Sequence, residues 1–303
     1  MISYTKALTF YQNLTEDDSA KNTALFDIVY NEKIRNILSS WKWSFLNKQE
    51  TQATAASQQF YNLPYNFKKL NSLTVLVSAT RYPPKEVKTR EEWDLINATA
   101  GTESTIPQYY FIFDGQVGIY PTPTDTSGTI TINYKIRVKD MGLADYTTGT
   151  ITTAVNGSTT IVGSGTSWTA KMADRRIRIT DSNTANTGDG EWYEIKSITD
   201  ATHLVLKKKY EGISIVAGSA THTIGQISVL PEDYQMLPVY GAVFDYWAQQ
   251  NDNRAIIYDT KYKEMLNDMK KMFSSQSDNP VLDEGIFNAT PRRGDFFYIT
   301  ITS

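Results

Sequence analysis

Apolar residues at helical spacing open the chain. Leu8 and Tyr11 lie on one side of a short helix that the spacing predicts from Tyr4 to Leu14. A longer helix follows, and either Ser19 or Asn22 can cap it. Its apolar stripe consists of Leu25, Ile28, Val29, Ile34, Ile37, Leu38 and Trp41. The neighbouring positions that we expect in solvent are Asn31, Glu32, Lys33 and Arg35.

From about residue 51 the pattern is one of strands and turns. A buried strand is predicted at Leu73–Val77, and Thr129–Val138 alternates polar and apolar residues as a half-buried strand does. Asp114-Gly115 joins two strand-like runs and predicts a hairpin, because this dipeptide suits a two-residue turn. Thr89 and Glu92 form a capping box, which predicts the start of a helix.

The composition changes near Thr147. From there to about Gln226 the chain is rich in Thr, Ser and Gly, and turn signals separate short β-branched runs. The strand candidates are Ile177–Ile179, Trp192–Ile195 and Leu204–Leu206. Because helical patterns resume afterwards, we predict that residues 147–226 form an all-β domain. It would be inserted into a first domain made of residues 1–146 and 227–276.

Two helices are predicted after the insert. Pro231 suits a first helical position, and Pro238 is expected to kink or restart that helix. A second helix begins near Arg254 after a short break, so we expect an antiparallel pair. Residues 277–303 are predicted to be an extended arm that ends in a strand, Phe296–Ile301. The fold class is α+β: a helical core (N-terminal helix and C-terminal antiparallel helix pair), a β-rich region, an inserted small all-β domain and an extended C-terminal arm.

The amino-acid composition argues against several classes of catalytic and metal-binding site. The 303 residues carry a formal net charge of -3 and include no Cys and two His, which argues against disulfides, thiol nucleophiles and most His-dependent mechanisms. His203 and His222 both fall in the Thr-rich insert outside any motif, and we expect them on a β surface. Acidic pairs such as Glu91-Glu92 lie at helix starts, where the helix dipole accounts for them. We therefore expect no catalytic residue, no cofactor and no metal site.

The chain also lacks the marks of a membrane or exported protein. No stretch approaches the roughly 20 apolar residues that cross a bilayer, and Met1–Lys6 has no signal-peptide pattern. We expect no membrane contact and a cytoplasm-like compartment. Aromatic residues make up 12%, with 19 Tyr and 6 Trp. They either fill the cores of β domains, which composition alone favours, or serve protein–protein interfaces.

Several short segments occur in an order that resembles the head-to-tail adaptor, or connector, proteins of tailed bacteriophages. They are Trp41–Leu46, Phe60–Pro64, Ile106–Tyr110, the hairpin end Ile119–Pro123, and Leu230–Tyr234. Together they extend over most of residues 1–140 and 227–275, and the ordered set carries the resemblance. It implies a non-enzymatic virion protein at the head–tail junction. Such a protein would assemble in the host cytoplasm as a ring, typically dodecameric, beneath the portal.

An adaptor of this kind would join the capsid to the tail. The partners that the resemblance implies are the portal protein, a nozzle or tail-tube protein, and other copies of the chain. Genomic DNA would pass through a central channel without sequence-specific binding. A mildly acidic chain suits that passage, because strong phosphate binding would impede sliding. The alternative is a tail-associated receptor- or carbohydrate-binding module, and a hydrolase is a third reading only if distant acids converge.

Three groups of residues are candidate interaction sites. In the arm, portal or partner contacts are expected from Phe287, Arg292, Arg293, Phe296, Phe297 and Tyr298. Packing between subunits is expected from Trp41, Trp43, Tyr240, Trp247 and Tyr262. In the insert, a contact surface for another tail or fibre protein, or for a glycan, is expected from Trp168, Trp192 and Tyr193, which would also be the stacking surfaces of the carbohydrate-binding alternative.

Overall fold

The computed structural model describes residues 1–98, 106–124, 126–180 and 187–274, and within them the chain is α+β. The helices are α1 (Tyr4–Thr15), α2 (Ala20–Ser39), α3 (Arg90–Ala98), α4 (Leu237–Gln249) and α5 (Arg254–Ser274). The first strands are β1 (Asn47–Ala53), β2 (Phe60–Asn62), β3 (Phe67–Val77), β4 (Thr80–Tyr82), β5 (Lys85–Glu86), β6 (Tyr109–Phe113), β7 (Gln116–Tyr120) and β8 (Thr129–Ile136). The later strands are β9 (Thr150–Ala154), β10 (Thr160–Ser164), β11 (Arg176–Ile179), β12 (Trp192–Ile198), β13 (His203–Leu206), β14 (Ile215–Ala220) and β15 (His222–Gly225).

Helices α1, α2 and α4 pack around an aromatic core. Ser19 caps α2, because its hydroxyl accepts a hydrogen bond from the backbone N–H of Asn22 at 3.2 Å. The Asn22 side chain instead accepts from the Tyr11 hydroxyl at 2.7 Å, inside the core. The ring of Phe26 lies 4.7 Å from that of Tyr11 and 4.8 Å from that of Tyr30. Both predicted N-terminal helices are confirmed, with Ser19 as the cap of the second.

The buried face of α2 differs from the predicted stripe at several positions, and it includes Phe26 and Tyr30, which the stripe omits. Ile28 is 65% exposed, whereas Asn31 is buried. The Asn31 amide donates to the carbonyl of Met141 at 2.7 Å, and its Oδ1 accepts from the Met141 N–H at 2.8 Å. The expectation that Asn31 lies in solvent is wrong. Hydrophobic periodicity does not register a buried amide that satisfies a distant backbone segment.

Two four-stranded sheets follow α2 along the chain. The first sheet has the order β1-β8-β3-β4 and is antiparallel throughout. The second has the order β2-β7-β6-β5, in which β5 is parallel to β6. The predicted hairpin is confirmed: β6 and β7 are joined by Asp114 and Gly115, with φ of 49° and 72°, as a two-residue turn of this kind requires. Thr89 caps α3 as predicted and accepts from the N–H of Glu92 at 3.2 Å.

The largest hydrophobic core joins the first sheet and the β6–β7 hairpin to the helices. Its buried members include Ile37 of α2, Ile119 of β7, Ile132 of β8, Leu237 of α4 and Met269 of α5. A smaller core under α3 contains Val87, Trp93 and Phe111. The helical and sheet segments from both ends of the chain therefore share one core.

A third sheet of seven strands is formed by residues 150–225, in the order β14-β9-β10-β13-β12-β11-β15. The three strand candidates of this region fall on β11, β12 and β13. The sheet has a separate hydrophobic core that includes Ile151, Ile161, Ile177, Ile195, Leu204, Leu206 and Tyr210. Isolated backbone bridges pair Tyr146 with Ile224 and Ser3 with Ile227. The chain therefore enters and leaves the seven-stranded sheet side by side.

The two C-terminal helices are antiparallel, as predicted. The guanidinium of Arg254, at the start of α5, covers the ring of Trp247 near the end of α4 at 3.4 Å. Further along α5, the ring of Tyr258 lies 6.3 Å from that of Tyr240, which is earlier in α4. Positions along α4 and α5 therefore meet in opposite order.

Pro231 does not begin the first of these helices. A separate 3-10 turn covers Glu232–Tyr234, and α4 begins at Leu237 with Pro238 in its first turn. Of the two outcomes that the sequence allowed at Pro238, the structure has the restart. Proline is tolerated there because the first turn of a helix has no intrahelical partner for the missing N–H.

Candidate interaction surfaces

The two tryptophans that follow α2 have opposite environments. Trp43 is 1% exposed, and its indole N–H donates to the carbonyl of Ile37 at 2.8 Å. The rings of Phe45 and Phe273 lie 5.7 and 6.0 Å from the Trp43 ring. The prediction that Trp43 packs against another subunit is therefore wrong, because this chain's own core covers it. Trp41 is 40% exposed and keeps the surface that such a contact needs.

Trp247 is also internal. It is 5% exposed, its indole N–H donates to the carbonyl of Leu14 at 3.3 Å, and Arg254 covers its ring. Its predicted contact with another subunit is wrong for the same reason. Tyr240 and Tyr262 are half-buried, so part of each ring stays at the surface. A role for these two tyrosines between subunits stays a prediction.

Trp168, in the loop after β10, and His222 of β15 form a buried pair under the seven-stranded sheet. They are 3% and 2% exposed, and the Trp168 indole N–H donates to Nε2 of His222 at 3.4 Å. Trp168 therefore fills the core of the sheet, and the prediction that it presents a contact surface is wrong. The expectation that both histidines lie on a β surface is wrong for His222. Burial lowers the pKa of His222 to about 4.

Trp192 and Tyr193 are half-buried neighbours on β12. The Tyr193 hydroxyl donates to Asp189, and its ring lies 5.4 Å from that of Tyr210. Burial, together with the Asp189 carboxylate, raises the pKa of Tyr193. The Trp192 ring lies 3.3 Å from the position of a Cβ added to Gly225, so it packs closely on β15. Contact of Trp192 and Tyr193 with a further protein or a glycan stays a prediction.

The predicted arm lies outside the described residues, and with it Phe287, Arg292, Arg293, Phe296, Phe297 and Tyr298. In the part of the chain that is described, no cluster of His, Cys, Asp or Glu is arranged to hold a metal ion. None of the helices described combines the length and the apolar character needed to cross a bilayer.

A buried arginine holds the junction between the seven-stranded sheet and the rest of the chain. The Arg175 guanidinium donates to the carbonyls of Ala144 at 2.7 Å and Ile224 at 2.9 Å. Burial lowers the pKa of Arg175, and the nearby Asp145 carboxylate partly offsets this effect. Gly225 allows the close approach, because a Cβ there would lie 2.8 Å from Oδ1 of Asp145. The sequence carries no local signal for these contacts, since each joins distant segments.

A cleft of about 820 Å³ opens between the first sheet and the seven-stranded sheet. On one wall, Lys207 contacts Asp174 at 3.2 Å and Glu194 at 2.6 Å. From the other wall, Lys139 lies 3.9 Å from Asp174 and 4.5 Å from the ring centre of Tyr65. Burial lowers the pKa of Lys207, but the two carboxylates more than offset it, so the pKa is raised overall. These charges pair with one another and bridge the two walls.

Comparison with known families gives a match that begins in α1 and ends in β10. The model of the SU10 adaptor protein family matches residues 5–161, which is more than half of the 303 residues. The chain belongs to the SU10 adaptor protein family. The phage-adaptor resemblance of the sequence is thereby confirmed. No curated protein matches the chain.

The SU10 adaptor match indicates the class of protein to which the chain belongs. The family is one of structural phage proteins and is not known as an enzyme family. The matched span also runs past residue 147, so it includes β9 of the seven-stranded sheet and ends at the second residue of β10. Helices α4 and α5 lie outside it.

Proposed function

We propose that this SU10 adaptor protein is a structural virion protein that forms a head-to-tail adaptor ring beneath the portal. The ring, dodecameric as is typical of such connectors, would join the capsid to the tail and let the genome pass through a central channel. The family match over residues 5–161 carries the proposal. Its partners would be the portal protein, a nozzle or tail-tube protein, and neighbouring copies. The ring would assemble in the host cytoplasm and act at the head–tail junction of the virion.

Contacts between copies are assigned to residues that keep exposed apolar surface. A ring is closed by heterologous contacts, in which two different patches of the same chain meet. Trp41 after α2, and Ile256 and Ile257 at the start of α5, are large exposed apolar residues in the described part of the chain. They are suited to this role in place of Trp43 and Trp247, and Tyr240 and Tyr262 would contribute their exposed edges.

Residues 147–226 are proposed to be a domain inserted into a core of residues 1–146 and 227–276. The separate hydrophobic core of the seven-stranded sheet supports this division, as does the adjacency of Tyr146 and Ile224. The insert would be peripheral and would contact another tail or fibre protein. Replacing residues 147–223 by a short linker should leave ring formation intact, and a loss of the ring would contradict the peripheral position.

Residues 277–303 are proposed to be an arm that docks on the portal. The run Phe296–Ile301 is rich in aromatic and β-branched residues, so it suits strand addition to a sheet edge. A chain that ends at residue 276 should still form the ring but lose portal binding. Unchanged binding would remove the arm from the interface.

The mass of the purified protein, alone and mixed with its portal, tests the proposed function directly. We expect a single species at a multiple of the chain mass, and a larger complex when the portal is present. A lone chain that ignores the portal would contradict the proposal. The receptor- or carbohydrate-binding alternative gains no support from the structure, since Trp168, one of its three stacking candidates, is buried.

A further inference from the structure

The first sheet has one face in the core and an opposite face that is exposed or half-exposed except at Thr131. Along β8, the residues Ile130, Ile132, Tyr134 and Ile136 are buried. Because successive side chains of a strand point to opposite faces, the alternate residues lie on the other side. We call this side the outer face of the first sheet. The β8 residues on it are Thr129, Thr131, Asn133 and Lys135.

Amide and hydroxyl side chains form hydrogen-bonded rows across the outer face. In the register of the sheet, Asn133 of β8 stands between Gln49 of β1 and Ser72 of β3. The Gln49 amide donates to Oδ1 of Asn133 at 2.9 Å, and the Asn133 amide donates to Oγ of Ser72 at 2.9 Å. The Asn71 amide donates to Oδ1 of Asn47 at 3.0 Å. These rows hold polar groups in a fixed array at the surface.

The charged residues on the outer face all have the same sign. Lys135 of β8 lies directly opposite Lys69 of β3, and Arg81 of β4 lies opposite Leu76 in the row that contains Thr129. No ion pair joins Lys69, Lys135 or Arg81 to a carboxylate among the residues that the structure describes.

The acidic member of these four strands lies on the opposite face. Glu50 is the acidic residue of β1, and β3, β4 and β8 contain none. Glu50 is opposite Ile132 in the register, which puts it on the side of the cleft. The outer face therefore carries cations, amides and hydroxyls without a carboxylate of its own strands.

This arrangement fits a polyanion. Like charges directly opposite each other across a strand pair are destabilising, so the Lys69–Lys135 pair gains from an anion placed over it. Lysine, arginine, asparagine, glutamine, serine and threonine side chains are the groups that contact the phosphates of DNA. We infer that the outer face of the first sheet contacts the phosphate backbone of duplex DNA. This inference rests on the proposed function, because it assigns the surface that faces the genome in the channel.

The contact between the outer face and the duplex is weak because only three cations take part, and a weak contact suits a duplex that must slide. If Lys69, Lys135 and Arg81 each neutralise one phosphate, log K falls with log salt with a slope of about -2.7. Affinity then drops by about 40-fold between roughly 50 mM and 200 mM salt. The amide and hydroxyl rows position the duplex backbone and read no base sequence.

The test measures binding of the full chain to a fluorescent duplex of random sequence, by anisotropy over a range of salt concentrations. The double variant Lys69→Gln/Lys135→Gln should reduce the slope from about -2.7 to about -0.9, because two phosphate contacts are lost. The matched control is Lys208→Gln/Lys209→Gln, which removes the same charge from exposed positions after β13. It should leave the slope unchanged.

A second variant tests the uncharged rows. Asn133→Asp adds a carboxylate between Gln49 and Ser72 at nearly constant volume. It should weaken duplex binding without changing the circular dichroism spectrum. Circular dichroism of the lysine variants provides the same control for folding.

Three results would overturn the inference: no duplex binding at low salt, an equal loss of slope in the Lys208/Lys209 control, or tighter binding of polyglutamate than of DNA at equal charge. The last would assign the face to an acidic protein surface. These results are separable from a failure of the proposed function. A ring that binds the portal but shows no effect of Lys69 and Lys135 leaves the function standing, whereas a lone chain that ignores the portal removes it.

Discussion

His222 makes the stability of the seven-stranded sheet depend on pH. Its Nε2 accepts a hydrogen bond from the Trp168 indole, and its buried Nδ1 has no partner among the described residues. Only an imidazole whose Nε2 is unprotonated can accept this bond. A charged imidazole would lose it and would be desolvated in an apolar core. Burial accordingly lowers the pKa of His222 from 6.5 to about 4.

The sign and size of the effect follow from proton linkage. Between pH 6.5 and about 4, unfolded His222 binds a proton that folded His222 does not, so the free energy of unfolding falls as the pH falls. The contribution is fully present above the unfolded pKa. At about 1.4 kcal/mol per pKa unit, the complete loss is roughly 3 kcal/mol, of which about 2 kcal/mol is gone by about pH 5.

Urea unfolding at about pH 8 and about pH 5, followed by tryptophan fluorescence, measures this difference. His222→Gln keeps an acceptor for Trp168 and removes the titration, so most of the loss of about 2 kcal/mol should disappear. His203→Gln is the matched control, because His203 is partly exposed at the start of β13 and should leave the loss unchanged. An identical pH dependence in the parent chain and in His222→Gln would refute the reasoning.

Four further substitutions, of which Trp41→Ala is the control for Trp43→Ala, test the packing. Trp43→Ala should cost about 3–5 kcal/mol in denaturant unfolding, whereas Trp41→Ala should cost less than about 1 kcal/mol; similar costs would contradict their assigned burial. Asn31→Ala should destabilise by about 2–4 kcal/mol, because both backbone groups of Met141 lose their partner, and Tm near that of the parent would contradict it. Gly225→Ala should cost about 1–3 kcal/mol by overpacking the junction, and a neutral result in urea unfolding would mean that the close contact relaxes freely.

Local chemistry made much of the fold predictable from the sequence. The Asp114-Gly115 turn and the Thr89 cap act through bonds between residues only a few positions apart, so their signals lie within short windows of sequence. Both N-terminal helices and the C-terminal helix pair were predictable from apolar periodicity. The positions of these elements therefore depend mainly on side chains within the elements themselves.

Long-range contacts explain the errors. Trp41 and Trp43 are two residues apart beyond the end of α2, where helical periodicity no longer applies. Contacts with Phe45 and with the distant Phe273 cover Trp43. Strand β1 has no apolar alternation, since its residues are nearly all exposed, and its backbone pairing with β8 makes it a strand. Asn31 and Arg175 likewise depend on carbonyls far away in sequence.

The candidate interaction surfaces were predictable only as residue types. Aromatic enrichment indicated that the aromatic residues lie either in hydrophobic cores or at protein–protein interfaces. Among the described residues, Trp43, Trp168 and Trp247 are buried in the cores. The outer face of the first sheet was not predictable from the sequence. Its cations come from β3, β4 and β8, and their alignment depends on strand register. A period-two pattern in each strand separately does not reveal which charges become neighbours.

The bridge between Tyr146 and Ile224 has a consequence for any exchange of the insert. The Cα atoms of residues paired in an antiparallel bridge lie about 4.5–5.5 Å apart. Under the proposed division of the chain, any replacement for residues 147–226 would need ends that come within that distance. It would also have to replace the hydrogen bond that Arg175 donates to the carbonyl of Ala144.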